Sequence, residues 1–310
     1  MTALEAVSTY LPPERTPVVS RLAELGFSDA QSKLYQRYYG FSQVRREPGG
    51  TIGDLMLAAA SKLEQLRGRE HQVRYVVQAP TIQLAAPYPR NFLDDVREAL
   101  DLTRASSFSL SQHACAASLL AVDVCGRLLD TDGDPDALAL VLAGERTFTR
   151  VAQVIPTSAV MGEGMAAVLV RPGGGRDRVL GYAARMYSEF HTAPFESPDL
   201  ARRFDETYSG ALVDVIRTAL QRAGSRAADL ALVLPHNVNR MSWYRLARTL
   251  GVRSDRILLD NLPVLGHCFG ADPFINYQTA RELGRLRPGD RYLMTAVGVG
   301  ATFAAMVLEH

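Results

Sequence analysis

Cysteine is scarce: the 310 residues contain three, Cys115, Cys125 and Cys268, with no Cys-x-x-Cys spacing among them. So odd and sparse a set argues against a disulfide framework and a structural zinc site, and points to a reducing compartment. Net charge is scarce too, since 34 basic and 33 acidic side chains leave a formal +1. No global field recruits nucleic acid or an anionic membrane, and a charged partner must be read by a local patch. No uninterrupted apolar run reaches the roughly 18 residues needed to cross a bilayer. The opening Met1-Thr-Ala-Leu-Glu has neither a basic nor an apolar targeting region. The expectation is a cytoplasmic protein without membrane contact.

What is present is core: 47% hydrophobic residues over this length suffice for one large domain or two intimately packed halves. Short β-branched and aliphatic runs alternate with longer amphipathic stretches. Arg74-Tyr-Val-Val-Gln, Ala137-Leu-Ala-Leu-Val-Leu-Ala and Leu230-Ala-Leu-Val-Leu are examples of the runs. This is an α/β pattern with strands buried on both faces. Val170-Arg-Pro-Gly-Gly-Gly-Arg-Asp-Arg breaks all periodicity and is the expected hinge. Residues 1–171 and 172–310 then form two halves, each passing from a helix through a buried strand and a glycine-rich turn to another apolar strand, which suggests duplication. Residues 188–204 read as an irregular insertion before a helix over 207–223.

Four segments carry candidate chemistry. Cys115 lies in Phe108-Ser-Leu-Ser-Gln-His-Ala-Cys-Ala-Ala-Ser-Leu-Leu, where a short strand turns into an apolar helix. A thiol in the first turn of a helix sits near the positive end of its dipole, which favours thiolate. The commoner fate of such a cysteine is buried and inert, and Cys125, ten residues on, fits that role. Leu232-Val-Leu-Pro-His236-Asn-Val-Asn239 delivers an imidazole and an amide at a strand end, ahead of a helix from about Trp243 to Leu250. Leu265-Gly-His267-Cys-Phe-Gly-Ala-Asp272 is a similar exit. Its adjacent Cys and His point apart, and no further spacing supports a metal. Ala296-Val-Gly298-Val299-Gly300-Ala-Thr is a flexible backbone that presents an amide N–H to an oxyanion or simply packs tightly.

In this order the segments resemble the β-ketoacyl-ACP synthase III family of the thiolase superfamily along essentially the whole chain. Val7-Ser-Thr-Tyr-Leu-Pro-Pro resembles its first strand and turn, and Tyr39-Gly-Phe-Ser-Gln-Val-Arg-Arg its early Thr-Gly-Ile…Arg element. Ala114-Cys115-Ala-Ala is similar to the Ala-Cys-Ala-Gly nucleophile segment, with Ala117 for the glycine. Gly162-Glu163-Gly164 is similar to Gly-Asp-Gly, and Pro235-His236-Asn-Val-Asn239 to Pro-His-Gln-Ala-Asn. The stretch from Gly266-His267 through Arg285-Leu-Arg-Pro-Gly-Asp and Val297-Gly-Val-Gly-Ala-Thr follows the family without a gap, with His267 at the position of the catalytic asparagine.

The resemblance implies a thiolase-like fold, two halves in five layers α-β-α-β-α. It implies that Cys115 carries the acyl group, loaded from acyl-CoA or an acyl carrier protein, with no separate cofactor and no metal. His236 and His267 are the implied catalytic partners. Asn239 supports them, and Gly298, Val299 and Gly300 supply the oxyanion amide. Arg37 falls near a CoA contact, and Arg240, Arg245 and Arg248, with Arg248 first, are candidates for docking a carrier protein, although a solvated face is the commoner role of surface arginines. A homodimer is implied as well. Because His267 replaces asparagine, the expected function is ping-pong acyl transfer to a hydroxyl, amine or carrier thiol, with His236 as base on the acceptor. Decarboxylative condensation by Cys-His-His is the alternative, and an inactive subunit of a heterodimer the second. Asp272, five residues after His267, would lie about 140° away from it on an ideal helix. It reaches the imidazole only if His267 sits in a loop. Phe190, Phe195, Phe204 and Phe269 are candidate pocket residues.

Overall fold

A computed structural model describes residues 1–83, 89–192 and 197–310. Nine strands of the described residues form the main sheet: β1 Thr2–Tyr10, β2 Val73–Ala79, β3 Ser106–Ser109, β4 Leu138–Glu145, β5 Gly164–Pro172, β6 Arg178–Met186, β7 Leu230–Leu234, β8 Arg291–Gly298 and β9 Thr302–Glu309. Six helices are needed to place the site: α1 Ile52–Ala60, α2 Phe92–Ala99, α3 Ala117–Asp132, α4 Pro198–Arg222, α5 Arg240–Leu250 and α6 Asp272–Glu282. The strand order is β7-β8-β9-β6-β1-β5-β4-β2-β3.

That sheet is two smaller ones joined at a narrow seam. Between β1 and β6 the register holds for one pair, Ala3 with Arg178. On one side β1 runs antiparallel to β5, β5 antiparallel to β4, and β4 parallel to β2. On the other β6 runs antiparallel to β9, β9 antiparallel to β8, and β8 parallel to β7. The two series repeat one topology, and the three-glycine segment lies in the turn that links β5 to β6. All eight residues of β4 are buried, as expected of a strand covered on both faces.

Helices α3 and α6 contact strands of both half-sheets and form the middle layer. Helices α1 and α2 cover the outer face of the first half-sheet, and α4 that of the second with α5 packed beside it. The result is the thiolase-like α-β-α-β-α stack. Separate apolar clusters fill it: one under α1 and α2, one around α3 and α6, and one under α4 and α5. Among the described residues no helix is long and apolar enough to cross a membrane.

One boundary differs from expectation. Helix α4 begins at Pro198, with Ser197 capping it through the Leu200 N–H, so the irregular insertion is shorter than 188–204. Proline at the first helical position fits, since it removes an N–H that has no partner there. Phe195 lies outside the described residues.

Candidate active site

Cys115 sits in a single 3-10 turn, Ala114–Ala116, one step ahead of α3 rather than within its first α-helical turn. Ala114 adopts a left-handed φ of 47° to make that turn. The end of β8 packs directly on it: a Cβ at Gly298 would lie 2.0 Å from the His113 carbonyl oxygen, so only glycine permits this approach. The thiol is 2% exposed. It receives a hydrogen bond from the Thr81 hydroxyl at 3.4 Å and faces His267 Nε2 at 3.6 Å. A mostly apolar cavity of about 210 Å³ opens on the sulfur, walled by Ile82, Ile155, Met161, Phe269 and Val299.

His267 lies in an extended segment pinned beside Met161: its N–H donates to Val160 O at 3.0 Å, and its carbonyl accepts from Gly162 N at 3.0 Å. Phe269, at φ 55°, then turns the chain, and α6 starts at Asp272. The reversal brings Asp272 back under the imidazole, where its Oδ2 is hydrogen-bonded to His267 Nδ1. The same fully buried carboxylate accepts from Cys268 N at 2.8 Å, Asn237 N at 2.5 Å and Asn237 Nδ2 at 3.1 Å. Asn276 in turn donates to Asn237 Oδ1 at 3.0 Å and Pro235 O at 2.7 Å. A buried carboxylate with this many donors is fixed in place. Burial alone would lower the His267 pKa. The Asp272 charge and hydrogen bond, helped by Cys115, overcome it and raise the imidazole to about 10.

His236 follows Pro235 at the end of β7, with its ring centroid 6.4 Å from that of His267. Its Nδ1 faces the Thr295 hydroxyl at 3.4 Å, and its Nε2 is hydrogen-bonded to the Tyr208 hydroxyl at 2.6 Å. Trp243 anchors the segment by donating from Nε1 to the His236 carbonyl at 3.1 Å. Burial first, and then the charge of His267, push the His236 pKa down to about 3. This imidazole is neutral at physiological pH.

Cys115, His267 and Asp272 thus stand in one hydrogen-bonded line, with Val299 beside the sulfur cavity and Gly298 against the cysteine turn. Gly300 is partly exposed at the tip between β8 and β9. Three of the expected site residues have partners of their own in the structure. His236, expected as base on the acceptor, has its Nε2 engaged by Tyr208, and His267 is the imidazole that faces the sulfur. Asn239, expected near the chemistry, caps α5 by accepting from Met241 N at 2.9 Å. Arg240, expected to face a carrier, donates to the carbonyls of Arg37 and Tyr38 and so ties α5 to that segment. Arg37, Arg245 and Arg248 are exposed. Phe269 lines the sulfur cavity, whereas Phe190 and Phe204 pack against each other at 5.6 Å behind it. Sequence reasoning missed Thr81, Tyr208, Asn237 and Asn276.

The architecture is that of a thiolase-fold protein with a cysteine centre between its halves. Residues 220–310 match the model of the 3-oxoacyl-[acyl-carrier-protein] synthase III C-terminal family. Over 90% of this chain and 87% of the relative, the sequence is 28% identical to β-ketoacyl-[acyl-carrier-protein] synthase III 3 of Streptomyces coelicolor. Among solved structures, the 3-oxoacyl-[acyl-carrier-protein] synthase III of Aquifex aeolicus superposes with a TM-score of 0.82 at 20% identity, covering 100% of both chains. The acyltransferase ChlB3 superposes with a TM-score of 0.86 at 18% identity, covering 99% of this chain and 97% of its own. The structural likeness is one of fold. The sequence matches show similarity to β-ketoacyl-ACP synthase III proteins over most of the chain.

Proposed function

We propose that the protein is a non-condensing acyltransferase, which loads an acyl group from acyl-CoA or an acyl carrier protein onto Cys115 and passes it to a hydroxyl, amine or carrier thiol. The observation that carries this reading is the His267 ring, gripped at Nδ1 by the Asp272 carboxylate while Nε2 faces the Cys115 sulfur at 3.6 Å. In a Cys-His-Asp line the carboxylate fixes the tautomer and stabilises the imidazolium, and the far nitrogen takes and returns a proton.

In the first half-reaction the proton shared by Cys115 and His267 already rests on Nε2, as the raised imidazole pKa favours, and the thiolate attacks the donor carbonyl. The oxyanion faces the backbone N–H groups of Cys115 and Val299. The carbon–sulfur bond to the carrier then breaks, and the departing thiolate takes the proton from His267. In the second half-reaction the acceptor gives its proton to Nε2 and attacks the Cys115 thioester. The acceptor–carbonyl bond forms, the Cys115–carbonyl bond breaks, and His267 returns the proton to the cysteine sulfur. Exchange between thioesters is close to balanced in energy, so proximity and electrostatic preorganisation supply the rate.

The two facing histidines favour a second reading, decarboxylative condensation, in which both rings donate hydrogen bonds to an enolate oxygen. Intact-protein mass spectrometry separates the two. Wild type and Cys115→Ala are incubated with a panel of acyl-CoA and acyl-carrier donors, and the acyl-enzyme is chased with malonyl-ACP or with amine, alcohol and thiol acceptors. Transfer predicts an acyl mass on wild type alone, discharged by an acceptor and untouched by malonyl-ACP. Discharge by malonyl-ACP with CO₂ release refutes it, and no acylation by any donor removes Cys115 from the mechanism.

A further inference from the structure

Resting on the transfer reading, a second question is why a site with two histidines and a cysteine would not condense. Condensation of malonyl-ACP breaks the bond between the malonyl methylene and its carboxylate, and CO₂ leaves. The electron pair enters an enolate whose oxygen needs hydrogen-bond donors. The enolate carbon then attacks the Cys115 thioester, a carbon–carbon bond forms, and the Cys115 thiolate is expelled. Withholding a donor from that oxygen raises the barrier of the first step and leaves simple acyl transfer alone.

Tyr208 does this by position. It projects from α4 toward the end of β7, and its ring is held edge-on by Phe204 at 5.8 Å and Phe303 at 5.6 Å. That aromatic clasp directs the hydroxyl onto His236 Nε2 at 2.6 Å. Burial, and then Asp205, push the phenol well above its ordinary range, so it stays protonated. A neutral imidazole has one N–H and one lone pair. Whichever of the two resides at Nε2, the phenol already engages it, and the other nitrogen faces Thr295 in the protein interior. His236 therefore has no free donor for a substrate oxygen. We propose that Tyr208 is a specificity-determining residue, which suppresses decarboxylative condensation by occupying His236 and so confines the Cys115–His267–Asp272 line to acyl transfer.

The test compares wild type, Tyr208→Phe and the double variant Tyr208→Phe/His236→Ala. Each is loaded with a donor that acylates wild-type Cys115 and then given carboxyl-labelled malonyl-ACP, and labelled CO₂ is expressed per acylated enzyme. One oxyanion donor is typically worth on the order of a hundredfold in rate. A rise of at least about tenfold in Tyr208→Phe, with a β-ketoacyl product on the carrier, is expected, allowing for imperfect placement of the freed imidazole. The double variant returns to the wild-type level, which a merely structural loss would not produce. No rise, or a rise that persists in the double variant, overturns the inference while leaving the transfer reading intact. CO₂ release by wild type overturns both, since condensation would then proceed with the Tyr208 hydroxyl in place. Should Tyr208→Phe fail to load, Tyr208→Leu replaces it. Failure of both variants to load places Tyr208 in the scaffold of the site and likewise overturns the inference.

Discussion

Replacing Asp272 by asparagine removes the charge that sets His267 and keeps nearly the same shape. The carboxylate carries the imidazole from its ordinary 6.5 to about 10 against the opposing effect of burial. That difference corresponds to something on the order of 5 kcal/mol between the protonated and neutral forms of the ring. Asparagine cannot supply it, and burial is then opposed by Cys115 alone, so the His267 pKa falls. The amide also turns an N–H₂ toward donors that the second carboxylate oxygen now accepts. At least one of His267 Nδ1, Cys268 N and the two Asn237 donors loses its partner, at a cost of about 1–3 kcal/mol of stability. Because imidazolium stabilisation is needed in the transition state of loading, Cys115 acylation should slow by about 10²- to 10⁴-fold at pH 7. Time-resolved intact mass of the acyl-enzyme measures the rate, and urea midpoints measure the stability cost separately. The linkage has a sign as well. A raised histidine pKa contributes stability that is complete below about pH 6.5 and lost as pH climbs to about 10, and Asp272→Asn should abolish that alkaline decline. Loading within about threefold of wild type by a folded Asp272→Asn protein would refute the assignment and leave the carboxylate a purely structural clamp.

His267→Ala should reduce Cys115 acylation by about a thousandfold or more, whereas His236→Ala should slow it less than about tenfold, because His236 Nε2 is engaged by Tyr208. Single-turnover loading rates of the two variants rank the imidazoles directly. His236 binds its proton only near pH 3 in the folded protein but at about 6.5 when unfolded. It should therefore destabilise the fold progressively as pH drops from 6.5 toward 3, and urea midpoints of His236→Gln should show a shallower acid decline than wild type. Gly298→Ala would press its Cβ to 2.0 Å from His113 O. The cysteine turn must shift to admit it, costing about 1–3 kcal/mol of stability and most of the loading rate, read by thermal melting and intact mass.

Much of this organisation was written in local pattern. The continuous apolar runs of β4 and β7 read as doubly covered strands because nothing in them alternates. The three glycines after Pro172 mark the change of half because no regular element survives them. His236 and His267 each follow an abrupt exit from an apolar run, and Cys115 stands at the entry to an apolar helix. Their partners were less visible, for a geometric reason. Asp272 stands five residues from His267, a spacing that neither helix nor strand turns into a contact, and only the left-handed Phe269 folds it back. Tyr208 sits in the middle of a 25-residue amphipathic helix as one of its two aromatics, and reaches His236 across the edge of the second half-sheet.

The consequence is that the same short motif carries opposite chemical meanings depending on residues far from it in sequence. Pro235-His236-Asn237 by itself suggests a histidine free to meet substrate. Tyr208 on α4 and Thr295 on β8 instead occupy both of its nitrogens, and Asn237 is committed to holding Asp272. One strand end therefore delivers an imidazole with both nitrogens engaged and the support for the one that faces the sulfur, since the Asn237 backbone N–H and side chain both anchor the carboxylate that aligns His267. Disturbing Asn237 should accordingly impair loading through His267 while leaving the Tyr208–His236 contact in place, a division of labour that motif spacing alone does not express.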